Sequence, residues 1–466
     1  MEENPNEIRK KTRMKYGKNS EYLLKWFIVN VKLSSRIMEK KIYYERIIDK
    51  RLDLNLRAFG ATNIIGPKWC GKTFTAEQRV KSKLMLQKEP DLEALEYKLK
   101  LTPYLLLEGE KPKLIDEWQD LPLIYDVIRA YCDEFGGKGN FILTGSASKN
   151  TKTRHTGTGR ISTLKMYPMS LYESKESSGV VSLLDLFDKK ENLENGCVSS
   201  LSLEDLIYAA CRGGWPESVL TEDREAALII PKDLYKQIYT KDMFNVDDVK
   251  RNPSTMRAIL NSYGRNISTL AKKVSILEDV RATNNISEET LDDYINVLEK
   301  LYIVEDLYGW CPNIRSKSAI RSGRKREFVD PSIAVVAEHG SPSFYLNDLK
   351  AFGFIFETLC IRDLRVYSSA LDGEISYYRD KSGLECDAVL HLNDGRYALI
   401  EFKLGDFEID KGAKNLNKIE ELIKKHNENN EVKMRMPDLK LIITASKYGF
   451  KRDDGIFVVP IGCLKD

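Results

Sequence analysis

The chain has 466 residues, enough for about three domains at the usual ~100–200 residues each, and its 42% hydrophobic content fits packed cores and excludes a disordered chain. Lys+Arg at 73 against Asp+Glu at 70 leaves a net charge of only +3, so bulk charge argues neither for nor against nucleic acid. The eight cysteines and four histidines are scattered, which supports neither a zinc site nor a disulfide framework; with no apolar run near the ~18–20 residues of a membrane span and no secretion signal, a cytoplasmic protein with no membrane partner is expected.

Residues 1–37 are basic and poor in pattern, with Arg9, Lys10, Lys11, Arg13, Lys15 and Lys18 close together. They read as a tail; Met38 is a candidate natural start, and an ordered pattern begins near Ile42.

From 38 to 175 strands alternate with helices, the signature of a parallel sheet covered on both faces. Ala61 to Ile65 reads as a buried strand and Thr73 to Gln78 as the first turns of a helix. Between them Gly66-Pro67-Lys68-Trp69-Cys70-Gly71-Lys72-Thr73 satisfies G-x-x-x-x-G-K-[ST]. A strand, a glycine-bearing loop and a helix N-terminus present successive backbone N–H groups and a positive helix end to phosphates. Lys72 is then the point charge for the β/γ-phosphates and Thr73 a Mg²⁺ ligand, so ATP and Mg²⁺ are the expected cofactors. Lys113 to Glu117 is an apolar strand ending in two carboxylates: Asp116 for the Mg²⁺ shell, Glu117 to orient the attacking water. The strand from Asn140 to Ser146 ends in small hydroxyl residues, with Ser146 a candidate γ-phosphate sensor. The polar loop 148–160 that follows is expected on the nucleotide side of the sheet. Arg160, at its end, is a candidate for stabilising phosphoryl-transfer charge, in this subunit or in a neighbouring copy of a homo-oligomer.

Residues 176–253 read as a helical lid or connector broken at Gly213-Gly214-Trp215-Pro216-Glu217. Residues 254–335 show three amphipathic segments, Ser254 to Tyr263, Ser268 to Val274 and Ser287 to Tyr302, with Ser268 and Ser287 as N-caps, then a strand from Ile303 to Tyr308. That is the layout of a winged helix-turn-helix. Its third helix carries Glu288, Glu289, Asp292, Asp293 and Glu299, a face better suited to protein than to a groove lined by phosphates. Arg315, Lys317, Arg321, Arg324, Lys325 and Arg326 follow without an acid, and read either as a phosphate-contacting wing or as a solvated hairpin.

Residues 336–466 hold a second constellation. Glu357 lies inside an apolar helix, Asp387 in mid-strand, and Glu401 and Lys403 share one face of a third strand. Carboxylates inside apolar elements are costly unless paired or bound to metal. Glu357, Asp387 and Glu401 are candidates to share one Mg²⁺, with Lys403 beside it to position a water; structural salt bridges are the alternative.

Asp387 with Glu401-Phe402-Lys403, and Glu357 as helix acid, resembles the restriction-endonuclease-like PD-(D/E)xK superfamily, although no Pro precedes Asp387. From about residue 42 the chain resembles prokaryotic AAA-type P-loop ATPases that carry a winged helix and a nuclease-like C-terminal domain of unknown function. The motifs are Gly66 to Thr73, Leu114 to Gln119, Leu143 to Ser148, Gly159-Arg160, Gly213 to Glu217, Asp330-Pro331 and Glu401 to Lys403. The resemblance implies an α/β architecture: a RecA/AAA-like core that binds and hydrolyses ATP, a helical middle and a nuclease-like end with a DNA-related task. Two functions stay open. One is an ATPase coupled to metal-dependent DNA cleavage, of mobile-element or defence type. The other is an interaction protein in which ATP gates DNA or protein binding by a non-cleaving nuclease fold. The intact Glu401-x-Lys403 pair inclines the balance toward cleavage.

Overall fold

The computed structural model describes residues 42–145, 156–191, 193–310 and 323–466. The basic tail, Ser146, most of the loop at 148–160, and Arg315, Lys317 and Arg321 of the basic cluster lie outside the described residues.

Helix α1 (Ile48–Ala58) leads into β1 (Ala61–Ile65), which turns through the glycine loop into α2 (Lys72–Glu77). Then come β2 (Ser82–Met85), α3 (Leu92–Leu101), β3 (Lys113–Asp116), α4 (Leu123–Phe135), β4 (Phe141–Thr144) and β5 (Ile161–Lys165). The strands form one sheet in the order β2-β3-β4-β1-β5 with every pairing parallel. Strands buried on both faces need apolar side chains at every position, and β4 shows the division. Phe141 and Leu143 pack with Ile115 and Ile128 on one face, while Ile142 packs with Leu114, Ile64 and Leu52 on the other. Because all five strands run the same way, the ends of β1, β3 and β4 share one edge. That edge is where ligands bind in open α/β sheets.

The connector is not purely helical as expected. It contributes β6 (Val181–Ser182) and β7 (Cys197–Val198) around α5 (Leu183–Phe187), before α6 (Leu203–Arg212), α7 (Pro216–Leu220) and α8 (Arg224–Thr240). Trp215, fully buried, donates to Ser332 Oγ at 3.0 Å, and Gly214 N–H donates to Asp330 Oδ2 at 2.9 Å. A Cβ on Gly214 would lie 2.1 Å from the Met169 carbonyl oxygen, so only glycine lets these segments close.

The middle unit has α9 (Pro253–Arg265), α10 (Lys273–Arg281) and α11 (Glu288–Lys300). Ser287 caps α11 through the Thr290 N–H, as expected. Ser268 caps nothing: its backbone is left-handed (φ +55°), and its hydroxyl turns inward to Glu327, 2.9 Å away. In place of a regular strand after α11, two antiparallel bridges, Val304 to Phe328 and Leu307 to Lys325, tie the chain together. Four of the five acids of α11 are in ion pairs: Glu288 and Asp292 with Lys273, Asp293 with Arg251, Glu299 with Arg324.

The last part comprises α12 (Pro331–Ala337), α13 (Pro342–Asn347), α14 (Leu349–Ala370), β8 (Gly373–Arg379), β9 (Glu385–Leu392), β10 (Tyr397–Lys403), α15 (Ile409–Asn429), β11 (Leu439–Thr444), β12 (Tyr448–Lys451), β13 (Phe457–Pro460) and β14 (Leu464–Lys465). Its mixed sheet runs β7-β12-β13-β11-β10-β9-β8, and β14 pairs with β6. The connector thus supplies an edge strand to the C-terminal sheet and a partner to its last strand. Residues 45–466 accordingly form one compact unit. Among the described residues no helix is long and apolar enough to cross a membrane.

Candidate functional site

The glycine loop needs unusual backbone angles, and its residues supply them. Gly66 has φ +147°, and a Cβ there would meet the Met166 carbonyl oxygen at 2.1 Å. Gly71 has φ +103° immediately before α2. Trp69 also takes a positive φ of +68°, which places a half-exposed indole on the loop. Lys72 is buried, and its ammonium folds back onto the loop, donating to Gly66 O at 3.0 Å and Pro67 O at 2.7 Å.

Across the edge, Asp116 ends β3 with its carboxylate facing two hydroxyls. Thr73 Oγ1 donates to Asp116 Oδ1 at 2.7 Å, and Thr144 Oγ1, from the end of β4, donates to the same oxygen at 2.6 Å. Thr73 and Asp116 therefore converge, as the motif spacing predicts. An oxygen-loving cation such as Mg²⁺ takes this donor set, so the residues fit the cofactor. Thr144 was not singled out in the sequence; its only signal there is a hydroxyl at a strand end level with Asp116. Glu117 follows in the left-handed region (φ +53°), and its carboxylate accepts from the Gln119 amide.

Two contacts hold the loop from outside, at Cys70 and at Lys68. Arg46 is buried and donates to Cys70 O at 2.8 Å and to Tyr167 O at 2.7 Å, while pairing with Glu173 at 3.1 Å. Lys68 reaches Asp242, beyond α8. Neither Arg46 nor Asp242 stands in a recognisable motif, so the sequence offered no route to them.

Arg160 is placed elsewhere. It immediately precedes β5, whose first residue is level with Ala61 at the start of β1, so it lies at the amino edge of the sheet, opposite the glycine loop. There its guanidinium pairs with Asp133 near the end of α4. The expectation that the loop delivers Arg160 to the nucleotide edge of its own subunit is corrected by strand direction. Ser146 lies outside the described residues.

The C-terminal constellation does assemble. Lys403 Nζ lies 2.6 Å from Glu401 Oε2 and 3.3 Å from Asp387 Oδ2. Asp387 Oδ2 also accepts the Phe402 N–H at 2.8 Å, and Glu401 Oε1 the Asn415 amide at 3.3 Å. Glu357, on α14, completes the group but meets a different cation: Lys325, whose ammonium bonds Glu357 and lies 3.8 Å from Glu385. Burial pushes the Glu357 carboxyl up to about 8, with Asp387 adding to the rise and Lys325 opposing it. Burial likewise pushes Glu401 up to about 8, again helped by Asp387. Burial works against the Asp387 charge too, but Lys403 and Lys325 together hold it below the usual carboxylate range. For Lys325 the acids win: burial disfavours its ammonium, yet Glu357, Asp387 and Glu385 keep its pKa raised.

Among the described residues no group of three or more His, Cys, Asp or Glu side chains is arranged to hold a metal ion. Glu357, Asp387 and Glu401, the expected ligands of one divalent cation, face two lysines instead of standing as an open cluster. The reading of Lys325 and Arg326 as phosphate contacts or solvated charges is corrected as well. Lys325 is 2% exposed, and Arg326, also buried, pairs with Asp306 and donates to the Tyr263 hydroxyl at 3.1 Å. Arg324 remains partly exposed beside Glu299.

A family model described as an AAA domain matches residues 59–175. Two models described as domains of unknown function, DUF8612 and DUF4143, match residues 203–343 and 352–464. No curated protein matches. Among solved structures, a Walker-type ATPase of Pyrococcus abyssi aligns at 14% identity and a TM-score of 0.40, over 64% of this chain and 97% of that one. The replication initiator DnaA bound to AMPPCP and single-stranded DNA aligns at 14% identity and 0.25, over 55% and 86%. A RuvB of Thermotoga maritima aligns at 15% identity and 0.25, over 60% and 90%. The AAA match and the glycine-loop geometry agree that the first sheet has the character of a P-loop ATPase; the C-terminal mixed sheet carries no such assignment.

Proposed function

We propose that the protein binds ATP with Mg²⁺ at the Gly66 to Thr73 loop and hydrolyses it, and that its nucleotide state governs DNA binding by a C-terminal nuclease-like domain that does not cut. The observation that carries the ATPase part is the meeting of the Thr73 and Thr144 hydroxyls on one oxygen of Asp116. Mg²⁺, when bound, neutralises phosphate charge there. Lys72 exchanges the Gly66 and Pro67 carbonyls for phosphate oxygens, a better partner for an ammonium than neutral dipoles. Glu117, at the left-handed residue directly after β3, orients water.

A route out of the loop is supported by contiguous contacts. Tyr167, whose carbonyl Arg46 ties to the loop, donates its hydroxyl to Glu305 at 3.0 Å. Lys165 pairs with the same Glu305 at 2.6 Å, and Arg365 of α14 lies 3.9 Å from it. Helix α14 also bears Glu357, so movement at the loop has a packed path to the second site.

The non-cutting reading is favoured over cleavage by Lys325, a lysine outside the Glu401-x-Lys403 motif whose buried ammonium occupies Glu357. The test is turnover and DNA binding side by side. Lys72→Ala should lower ATP hydrolysis about 100-fold or more and weaken nucleotide binding, whereas Glu117→Gln should keep ATP and hydrolyse it slowly. DNA affinity measured on Glu117→Gln should differ between ATP and no nucleotide. A Lys72→Ala protein that hydrolyses ATP like its parent refutes the ATPase part; DNA affinity indifferent to ATP refutes the gating.

A further inference from the structure

The cysteines form no framework along the sequence, yet the fold brings two of them together. Cys197 stands in β7, level with Gly449 of β12. A Cβ at 449 would lie 2.4 Å from Cys197 Sγ and 2.8 Å from Pro460 Cδ, so any side chain there would be driven between them. Glycine lets the thiol reach over β12 to the end of β13. The turn Ile461–Cys463 follows, and a Cβ on Gly462 would lie 2.3 Å from Ser199 Oγ, two residues beyond Cys197. In this closed space Cys463 donates its thiol hydrogen to Cys197 Sγ.

The two sulfurs differ in what reaches them. Cys463 is fully buried and held on both flanks: Gly462 O accepts from the Ser178 N–H at 2.9 Å, and Leu464 O from Ser177 Oγ at 2.7 Å. Cys197 is half-buried, within reach of a small solute. The bond from Cys463 holds the Cys197 thiol below its ordinary value, helped by the Gly449 N–H and opposed by burial and Glu191. The same bond, with burial, pushes Cys463 up. The thiolate is the nucleophile and a buried thiol is inert, so one member of the pair is suited to react and the other to follow. Cys132 supplies a contrast within the chain: it is also half-buried, but burial and Asp133 push its thiol up.

We infer that Cys197 and Cys463 are a peroxide-reactive pair whose disulfide staples the connector to the last turn of the C-terminal domain. The Cys197 thiolate attacks one oxygen of hydrogen peroxide, the O–O bond breaks, and the departing hydroxide takes up a proton as water. This leaves a sulfenic acid on Cys197. The Cys463 sulfur then attacks the Cys197 sulfur; an S–S bond replaces the S–O bond, and the hydroxyl leaves with the Cys463 proton as a second water. Two thiols lose two electrons, and one peroxide is reduced to two waters. The new bond joins β7, the edge strand lent by the connector, to the residue just before β14, which already pairs with β6. It fixes a boundary otherwise held by two short strands. The inference depends on neither ATP nor DNA.

Full-length protein, reduced and then given hydrogen peroxide, tests it by peptide mass mapping and melting curves. The parent should lose the mass of two hydrogens in one cross-linked pair of peptides that holds residues 197 and 463, within a single chain. It should then melt about 3 °C or more above the reduced form, as expected when a long loop is closed. Cys463→Ser should stop at the sulfenic acid, trapped on Cys197 by dimedone, with Cys132 reacting about tenfold more slowly. Cys197→Ser should trap nothing on Cys463. The parent's own mass map holds whether or not either variant folds. No cross-link in the parent, a cross-link only between chains, unchanged melting, dimedone on Cys463, or Cys132 as fast as Cys197 would each overturn the inference.

Discussion

Both ends of this chain set acids beside a lysine at the end of a strand, yet the two arrangements are opposites. At the glycine loop Asp116 is held by the hydroxyls of Thr73 and Thr144, while Lys72 rests on backbone carbonyls. Acid and ammonium each keep neutral partners, so each can still take up an ion. In the C-terminal cluster, Asp387 and Glu401 meet Lys403, and Glu357 meets Lys325. Those charges have already found each other. A carboxylate held by neutral donors is a cation site in waiting; one held by ammoniums is part of the core. Motif spacing alone reports both as sites, and only the identity of the partner separates them.

The contrast can be broken at its strongest point with Lys403→Met. If the cluster belongs to the core, removing one partner of a buried pair should lower stability by about 3–5 kcal/mol in denaturant unfolding and leave ATP turnover within about twofold. A variant as stable as the parent would show that the lysine is not holding these acids.

The contrast is sharpened by pH. Burial pushes Glu327 up to about 7, against a usual value near 4.5. Between those values the folded protein holds a proton that the unfolded chain has lost. This contribution to stability is complete below about pH 4.5 and disappears as pH rises through about 7. Glu327→Gln, which keeps the hydrogen-bonding shape without titrating, should flatten the fall by at most about 3 kcal/mol, read from unfolding curves at pH 5 and pH 8. Curves that respond to pH as the parent's do would place the proton elsewhere.

The smallest effect is expected outside both sites. Arg160→Ala removes a partly exposed pair with Asp133 at the far edge of the first sheet, so stability should change by less than about 1 kcal/mol and turnover in the isolated subunit not at all. A large loss of turnover that grows with protein concentration would instead give Arg160 a role across subunits.

What could be read from the residues was what is local. The glycine loop, β3 with its terminal Asp116, and the Ser287 cap each lie within a few residues of their own signal, and the structure places them as expected. The acids at 357, 387 and 401 were also found, since charge inside an apolar run is conspicuous wherever the chain folds. The partner was not legible. Lys325 and Arg326 sit in a run of bases that looks solvated, and what buries them is Glu357, 32 residues on, and Asp306, 20 residues back. Arg160 was misplaced because its edge of the sheet depends on strand direction, which a loop's composition does not carry. Ser268 had the right residue type for a cap, but Glu327 claimed its hydroxyl first.

The strands lent by the connector bear on how the chain is made. Ser177 Oγ donates to the Leu464 carbonyl, 287 residues later, and Ser182 Oγ to that of Asp466, 284 residues later. At ~5–20 residues per second, a ribosome needs roughly 15–60 s to span such a gap. The five-stranded sheet, complete at Lys165, can close during that interval, whereas the segment bearing β6 and β7 has no edge to join until the last strands emerge. Two-residue strands suit that delay, because short unpaired edges are poor templates for wrong pairing while the nascent chain waits.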